Sequence, residues 1–204
     1  MGKSTDGPVS RMINRWFSHR ITRFILNRNI PITPNQVSLG SFLLAVAAGL
    51  AFYLGQQAVG GILVEASSII DGVDGELARA RNTASSLGGF IDAMLDRFAD
   101  AAVICGITLW AYEEWGMPAV VLGLLALLGD IMVSYLHARG EASLGVHPSK
   151  IGRVPMFASR DVRLFIVFLL GLVGFAFYSL AIVAAVSLTY VVAKLLDIYF
   201  NFKL

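Results

Sequence analysis

Six largely apolar stretches, each near the length of about 20 residues that crosses a bilayer as a helix, leave this chain little choice of fold. We read spans at residues 35–55, 57–80, 88–112, 117–139, 162–177 and 179–200, with short turns at Gly55, at Gly116, Met117 and Pro118, and at Tyr178. Thr33 and Pro34 form a helix entry, a capping-type residue followed by proline at the first helical position. Residues 140–160, rich in Gly, Ser, Pro and His, read as the longest loop. The chain is 56% hydrophobic and 15% charged, against about a quarter charged in a soluble domain, so most of its surface is expected to face lipid. The expected fold is all-α: one six-helix membrane domain, residues 35–204, after a basic amphipathic juxtamembrane segment, residues 1–34.

Charge placement predicts orientation. Lys3, Arg11, Arg15, Arg20, Arg23 and Arg28 precede the first span, and Arg79 and Arg81 follow the second. Arg139, Lys150, Arg153, Arg160 and Arg163 surround the fourth-to-fifth loop, and Lys194 and Lys203 lie near the end. The opposite loops offer only Glu113 and Glu114. The positive-inside rule then predicts a multi-pass protein of the cell membrane with both termini and the 79–88 and 139–163 segments in the cytoplasm. Between residues 9 and 30, Met12, Ile13, Trp16, Phe17, Ile21, Phe24 and Ile25 recur at helical spacing among arginines. That pattern predicts a helix on the inner membrane surface and not a nucleic-acid-binding element. The single cysteine, Cys105, permits no disulfide within the chain, and the three histidines show no metal-ligand spacing.

Ionisable groups inside spans are costly and point to function. Five aspartates, at 71, 74, 92, 96 and 100, fall within 30 residues. On helices advancing about 100° per residue, Asp71, Asp74, Gly75 and Ala78 share one face, and Gly88, Asp92 and Asp96 form a stripe about 80° wide. Two such stripes facing each other gather four carboxylates, which cannot all remain ionised without compensation. A hard divalent cation supplies it through oxygen ligands, and a pair of ions forms a clamp suited to phosphoryl displacement. Gly75 and Gly88 leave room for close approach of a ligand, and Arg79 offers a planar donor fork to a phosphate. Salt bridging alone would require four basic partners, and only Arg79, Arg81 and Arg97 are near in sequence. Asp100 is expected to pair with Arg97 or support the site from behind. Glu65 and Asp130 are expected to hydrogen-bond between helices.

Asp71, Asp74, Gly75, Ala78 and Arg79, then eight residues, then Gly88, Asp92 and Asp96, match every position and both spacings of a signature over 26 residues. The run resembles the signature of the CDP-alcohol phosphotransferases. The resemblance implies attack of an alcohol on the β-phosphate of a CDP-alcohol, with release of CMP. It implies two divalent ions, Mg²⁺ or Mn²⁺, held by Asp71, Asp74, Asp92 and Asp96, with Asp96 also deprotonating the acceptor. It implies that Gly75, Arg79 and Ser85, beside Asp71 and Gly88, contact the CDP moiety. Asn35, Gln36, Val37 and Ser38 would close over the cytidine, and the protein would be a homodimer.

For the acceptor, Arg139, Lys150, Arg153, Arg160 and Arg163 exceed what topology asks, which predicts a phosphorylated alcohol such as inositol phosphate or glycerol phosphate. Residues 3–11, 69–76 and 159–165 look like the membrane half of di-myo-inositol-phosphate phosphate synthases. That likeness implies transfer from CDP-inositol to inositol 1-phosphate, with a cytidylyltransferase domain upstream or in trans. Three alternatives stay open: a phospholipid synthase using a CDP-linked lipid, an aspartate-rich prenyltransferase, and a cation transporter.

Overall fold

The computed structural model describes residues 7–202, which are helical with no strand among them. Lys3 and Lys203 of the charge count lie outside the described residues. A π-helical turn, Ser10–Asn14, leads into α1 (Arg15–Asn27). Six further α-helices follow: α2 (Pro34–Tyr53), α3 (Gln57–Ala80), α4 (Ser86–Trp115), α5 (Met117–Leu144), α6 (Arg160–Leu172) and α7 (Ala176–Asn201). Three of them, α2, α5 and α7, are long and apolar enough to cross a membrane.

Local chemistry sets these boundaries. Thr33 caps α2 through a reciprocal box: its hydroxyl accepts from Gln36 N, while Gln36 Oε1 accepts from Thr33 N at 2.9 Å. Ser85 caps α4 by accepting from Gly88 N at 3.1 Å. Gly116, at φ 60°, is the single residue between α4 and α5. The fifth predicted span needs correction. Helix α6 ends at Leu172, and the turn falls at Gly174, with φ 81°, and not at Tyr178, which lies inside α7. At 13 residues α6 is about 20 Å long, shorter than the hydrocarbon core of about 30 Å. Helix α5 extends to Leu144, past the predicted end at 139, and stops at left-handed Gly145.

The core is built from small residues that let helix backbones approach, as expected where lipid gives no hydrophobic drive for helix association. Helix α2 packs on α3 and α4, α3 on α6, and α5 on α7. At the α2–α4 crossing a Cβ at Gly106 would overlap the Gly49 carbonyl, and one at Gly49 would overlap Ala102. Outward, Leu39, Leu43, Val46 and Leu50 of α2 and Val121, Leu124, Leu128 and Ile131 of α5 are exposed, as a lipid-facing surface requires.

Two polar devices tie the periphery down. Glu76, buried on α3, accepts from Arg15, Ser18 and Thr22 of α1 at 2.7–2.8 Å and lies 2.9 Å from His19 Nδ1. The α5–α6 loop is clamped to α7: Lys194 donates to the Ile151 and Val154 carbonyls, and Asp197 accepts from Arg153 N and Val154 N at 2.9 Å.

Gly106→Val should cost about 2 kcal/mol or more, because the obstructing atom is backbone and cannot rotate away. Thermal unfolding in detergent, followed by size-exclusion chromatography, checks this. An unchanged melting temperature would mean that α2 and α4 do not pack this closely.

Candidate active site

The two aspartate stripes face each other. Asp71 and Asp74 project from α3 and Asp92 from α4, each offering a carboxylate oxygen within 4.8 Å of the others. Asp74 is buried, and its Oδ2 accepts from Ser38 Oγ at 2.5 Å, so the start of α2 fixes the carboxylate. Asp96, one turn after Asp92, is not in that group of three. Its Oδ1 lies 2.9 Å from Nη1 of Arg160, the first residue of α6, and the same nitrogen is 3.3 Å from Asp71 Oδ2. Buried Asp71 Oδ1 has no hydrogen-bond donor. An all-oxygen group with such an atom fits a hard divalent cation.

These residues line a cavity of about 680 Å³ that also meets Gly75, Arg79, Arg97, His137 and the N-terminal segment. Gly75 lies beside the Arg79 guanidinium: a Cβ at this position would sit 3.2 Å from Arg79 Nη1. Asn35, Ser85 and Gly88 meet at the α2–α4 entry, where a Cβ on Gly88 would lie 3.1 Å from Ser85 Oγ and 3.6 Å from Asn35 Oδ1. They and Ser38 are not among the cavity-lining residues.

Residues 31–192 match the CDP-alcohol phosphatidyltransferase family. The chain belongs to that family. It is 45% identical over 169 residues to the bifunctional IPC transferase and DIPP synthase of Rubrobacter xylanophilus, covering 83% of this chain and 37% of that protein. The archaetidylinositol phosphate synthase of Pyrococcus horikoshii is 35% identical over 159 residues, 78% of this chain and 79% of its own length. The chain spans less than half the length of the bifunctional relatives it matches. Among solved structures, Mycobacterium tuberculosis phosphatidylinositol phosphate synthase with CDP-DAG bound superposes with TM-score 0.76 at 28% identity, covering 92% and 95% of the two chains. The same enzyme in complex with manganese and citrate gives 0.75 at 27% identity, covering 90% of each chain. Family membership sets aside the prenyltransferase and transporter readings.

The arginines of this chain are distributed differently from the sequence expectation. Arg81 donates to the Ile30 and Ile32 carbonyls and holds the α1–α2 link. Local sequence missed the main counter-ions, Arg160 and Arg163, which arrive from α6. Arg160 Nε lies 3.0 and 3.1 Å from the two Asp100 oxygens. Arg97 Nη2 adds a third contact to Asp100 at 3.0 Å. Arg163 Nε lies 2.7 Å from Asp130 Oδ1, and its Nη1 donates to the Ala158 carbonyl at 2.5 Å. Asp100 therefore pairs with Arg97, and Asp130 bonds between helices, both as the spacing suggested. Glu65 does not: neither of its buried oxygens has a partner.

Of the five basic residues expected at the acceptor, only Arg160 and Arg163 line the cavity. Arg139, Lys150 and Arg153 are exposed and lie outside its lining, because their stretch of α5 and the following loop turn them outward. The histidines, unremarkable in spacing, are brought together by the loop: His137 and His147 have ring centroids 4.8 Å apart, and His137 Nε2 lies 2.8 Å from Tyr190 Oη. Burial holds the His147 imidazole below the ordinary histidine range, with Lys150 adding to the effect.

Arg160→Gln removes the cation nearest Asp71, Asp96 and Asp100. Without divalent metal it should lower stability by about 3 kcal/mol, the usual cost of leaving a buried charge unpaired. Mn²⁺ should recover more stability in this variant than in the wild type, because the cation takes over the compensation. Melting curves with EDTA and with Mn²⁺ check it. Equal Mn²⁺ stabilisation in both proteins would show that Arg160 and the cation do not share carboxylates.

Proposed function

We propose that this chain transfers a phosphoalcohol group from a CDP-alcohol to an acceptor alcohol and releases CMP, with CDP-inositol and inositol 1-phosphate as the substrates. The observation that carries the reading is the convergence of Asp71, Asp74 and Asp92, with Asp96 one helical turn away and held by Arg160. The substrate assignment is supported by the identity to the bifunctional IPC transferase and DIPP synthase. A second reading, phospholipid synthesis from a CDP-linked lipid, is supported by the archaetidylinositol phosphate synthase match and by CDP-DAG in the mycobacterial enzyme.

Asp71, Asp74, Asp92 and Asp96 hold the metal, two ions of Mg²⁺ or Mn²⁺. When bound, the ions supply positive charge that neutralises the pyrophosphate and stabilises departing CMP. Gly75, Arg79, Ser85 and Gly88 receive the CDP moiety, and residues 35–38 close over the cytidine. Gly75 leaves room beside the Arg79 fork, which can receive a phosphate. Asp96 takes the proton of the acceptor hydroxyl, whose oxygen attacks the β-phosphorus. The bond from that phosphorus to the CMP phosphate breaks, and its electron pair leaves with CMP. Among the basic residues first assigned to the acceptor phosphate, Arg160 has the best position, beside the proposed base, with Arg163 behind it. The reading places six crossings, α2–α7, with both termini and the site on the cytoplasmic side. It also takes the protein as a homodimer working with a cytidylyltransferase domain, upstream or in trans.

The test is CMP release from CDP-inositol by the purified chain in detergent, with labelled inositol 1-phosphate as acceptor. Label should enter the aqueous phase and product formation should stop on chelation of divalent ions. Label in the organic phase with a CDP-lipid donor would favour the second reading, and full activity without divalent ions would sink both. Asp71→Asn should weaken Mn²⁺ and CDP-alcohol binding together. Asp96→Asn should lower turnover by about a hundredfold or more while nucleotide binding persists, the range expected for loss of a general base. If Asp96→Asn keeps a tenth of the wild-type rate, the base assignment is wrong.

A further inference from the structure

One wall of the cavity carries polar atoms that the mechanism above does not use. The segment before α1 crosses from α3 to α6. Asn14 Nδ2 donates to Ser68 Oγ of α3 at 2.9 Å, and Ser10 N donates to Asp161 Oδ2 of α6 at 2.6 Å. Gly7 lies so close to Ser159 and Asp161 that a Cβ there would collide with both side chains. Ser10, Asn14, Ser68, Ser159 and Asp161 all line the cavity.

Asn14 is 4% exposed and Ser159 is 7% exposed, yet Asn14 Oδ1 and Ser159 Oγ have no hydrogen-bond partner among the described residues. Glu65, one helical turn before Ser68, is 8% exposed and both its oxygens are also unpartnered. Buried polar atoms are normally hydrogen-bonded, and two such side chains from two elements lining one cavity, with Glu65 one turn behind lining residue Ser68, call for a ligand that brings donors. Ser159 sits at the N-cap of α6 without making a capping bond, so its hydroxyl is not committed to the helix. Asp161, held by Ser10 N, puts a carboxylate on this wall of the cavity, which disfavours a phosphate on this side. The moiety that fits is uncharged and rich in hydroxyls.

We propose that Asn14 and Ser159, backed by Glu65, form a subsite that reads the hydroxyls of a polyol carried by one of the substrates. The assignment rests on the proposed CDP-alcohol reaction and deepens it. A site built to hydrogen-bond hydroxyls rejects a ligand lacking them, because its own buried groups stay unpaired. An acyl-bearing glycerol would leave these atoms unsatisfied.

The test uses the full chain in detergent with Asn14→Ala and Ser159→Ala. With CDP-inositol and inositol 1-phosphate as substrates, each variant should raise one of the two KM values about tenfold. The KM that moves says whether the polyol belongs to the donor or the acceptor, while kcat and Mn²⁺ binding stay near wild type. A binding measurement separates this subsite from the reaction itself. Wild type should prefer CDP-inositol to CDP, or inositol 1-phosphate to inorganic phosphate, and the variants should lose that preference about tenfold. Absence of CMP release from every CDP-alcohol would defeat the functional reading, and the binding preference would still report on the subsite. Unchanged KM values together with an unchanged preference in both variants would overturn the proposal.

Discussion

Excess carboxylate inside an apolar bundle is the constraint around which the rest of this structure is arranged. Asp71, Asp74, Asp92, Asp96, Asp100 and Asp130 lie on three adjacent helices, where isolated charge is costly. Three arginines compensate one part of the set. Arg97 and Arg160 converge on Asp100, and Arg163 takes Asp130. Such pairs add little net stability over apolar packing, but removing one partner is expensive, so the geometry of the set is strongly held. In the other part, Asp71, Asp74 and Asp92, Asp71 meets the outer edge of Arg160, and these three carboxylates are grouped closely enough to hold a cation. One arginine thus reaches from the ion-paired carboxylates to the edge of the group that could hold a cation.

Much of this was legible in sequence because the determinants are local. Helical periodicity put Asp71 with Asp74 and Asp92 with Asp96, and the folded helices bring the two stripes together. Thr33 and Pro34 announced the start of α2, and the structure adds a capping box with Gln36 that the sequence reading had not named. What was not legible depends on long-range pairing. Arg160 is separated by 60 residues from Asp100, and Arg163 by 33 from Asp130, so neither could be counted as a counter-ion from neighbouring positions. The α6–α7 turn was misplaced because Tyr178 and Gly174 sit in one unbroken apolar run. The positive φ of Gly174 decides the matter, and composition does not reveal it. Conversely, basic residues that looked alike in a charge count serve different ends. Lys194 is fully buried and bonds loop carbonyls, whereas Lys150 is exposed.

Helix α1 shows how one amphipathic pattern can satisfy two environments. Met12 of the preceding π-helical turn and Trp16, Phe17 and Phe24 of α1 are exposed, consistent with a membrane surface. Ser18 and Thr22 turn inward and bond Glu76, a residue within the aspartate-rich run that had suggested no role of its own. Because Glu76 lies two residues after Asp74 on α3, docking of α1 fixes the helix that carries half of the carboxylate cluster.

The loop clamp extends the same logic to the other side of the site. Asp197 receives two backbone N–H groups and Lys194 contributes its charge to two carbonyls, so residues 151–154 are held against α7 from both ends. A few residues later the chain reaches Ser159 and Arg160, which must arrive at the cavity in a fixed orientation for one guanidinium to reach Asp71, Asp96 and Asp100 together. A loop free to move would deliver that arginine to one carboxylate at a time. The clamp turns the longest connection between helices into a rigid mount, so positional accuracy at the carboxylate centre is inherited from a lysine and an aspartate on α7 that never touch it.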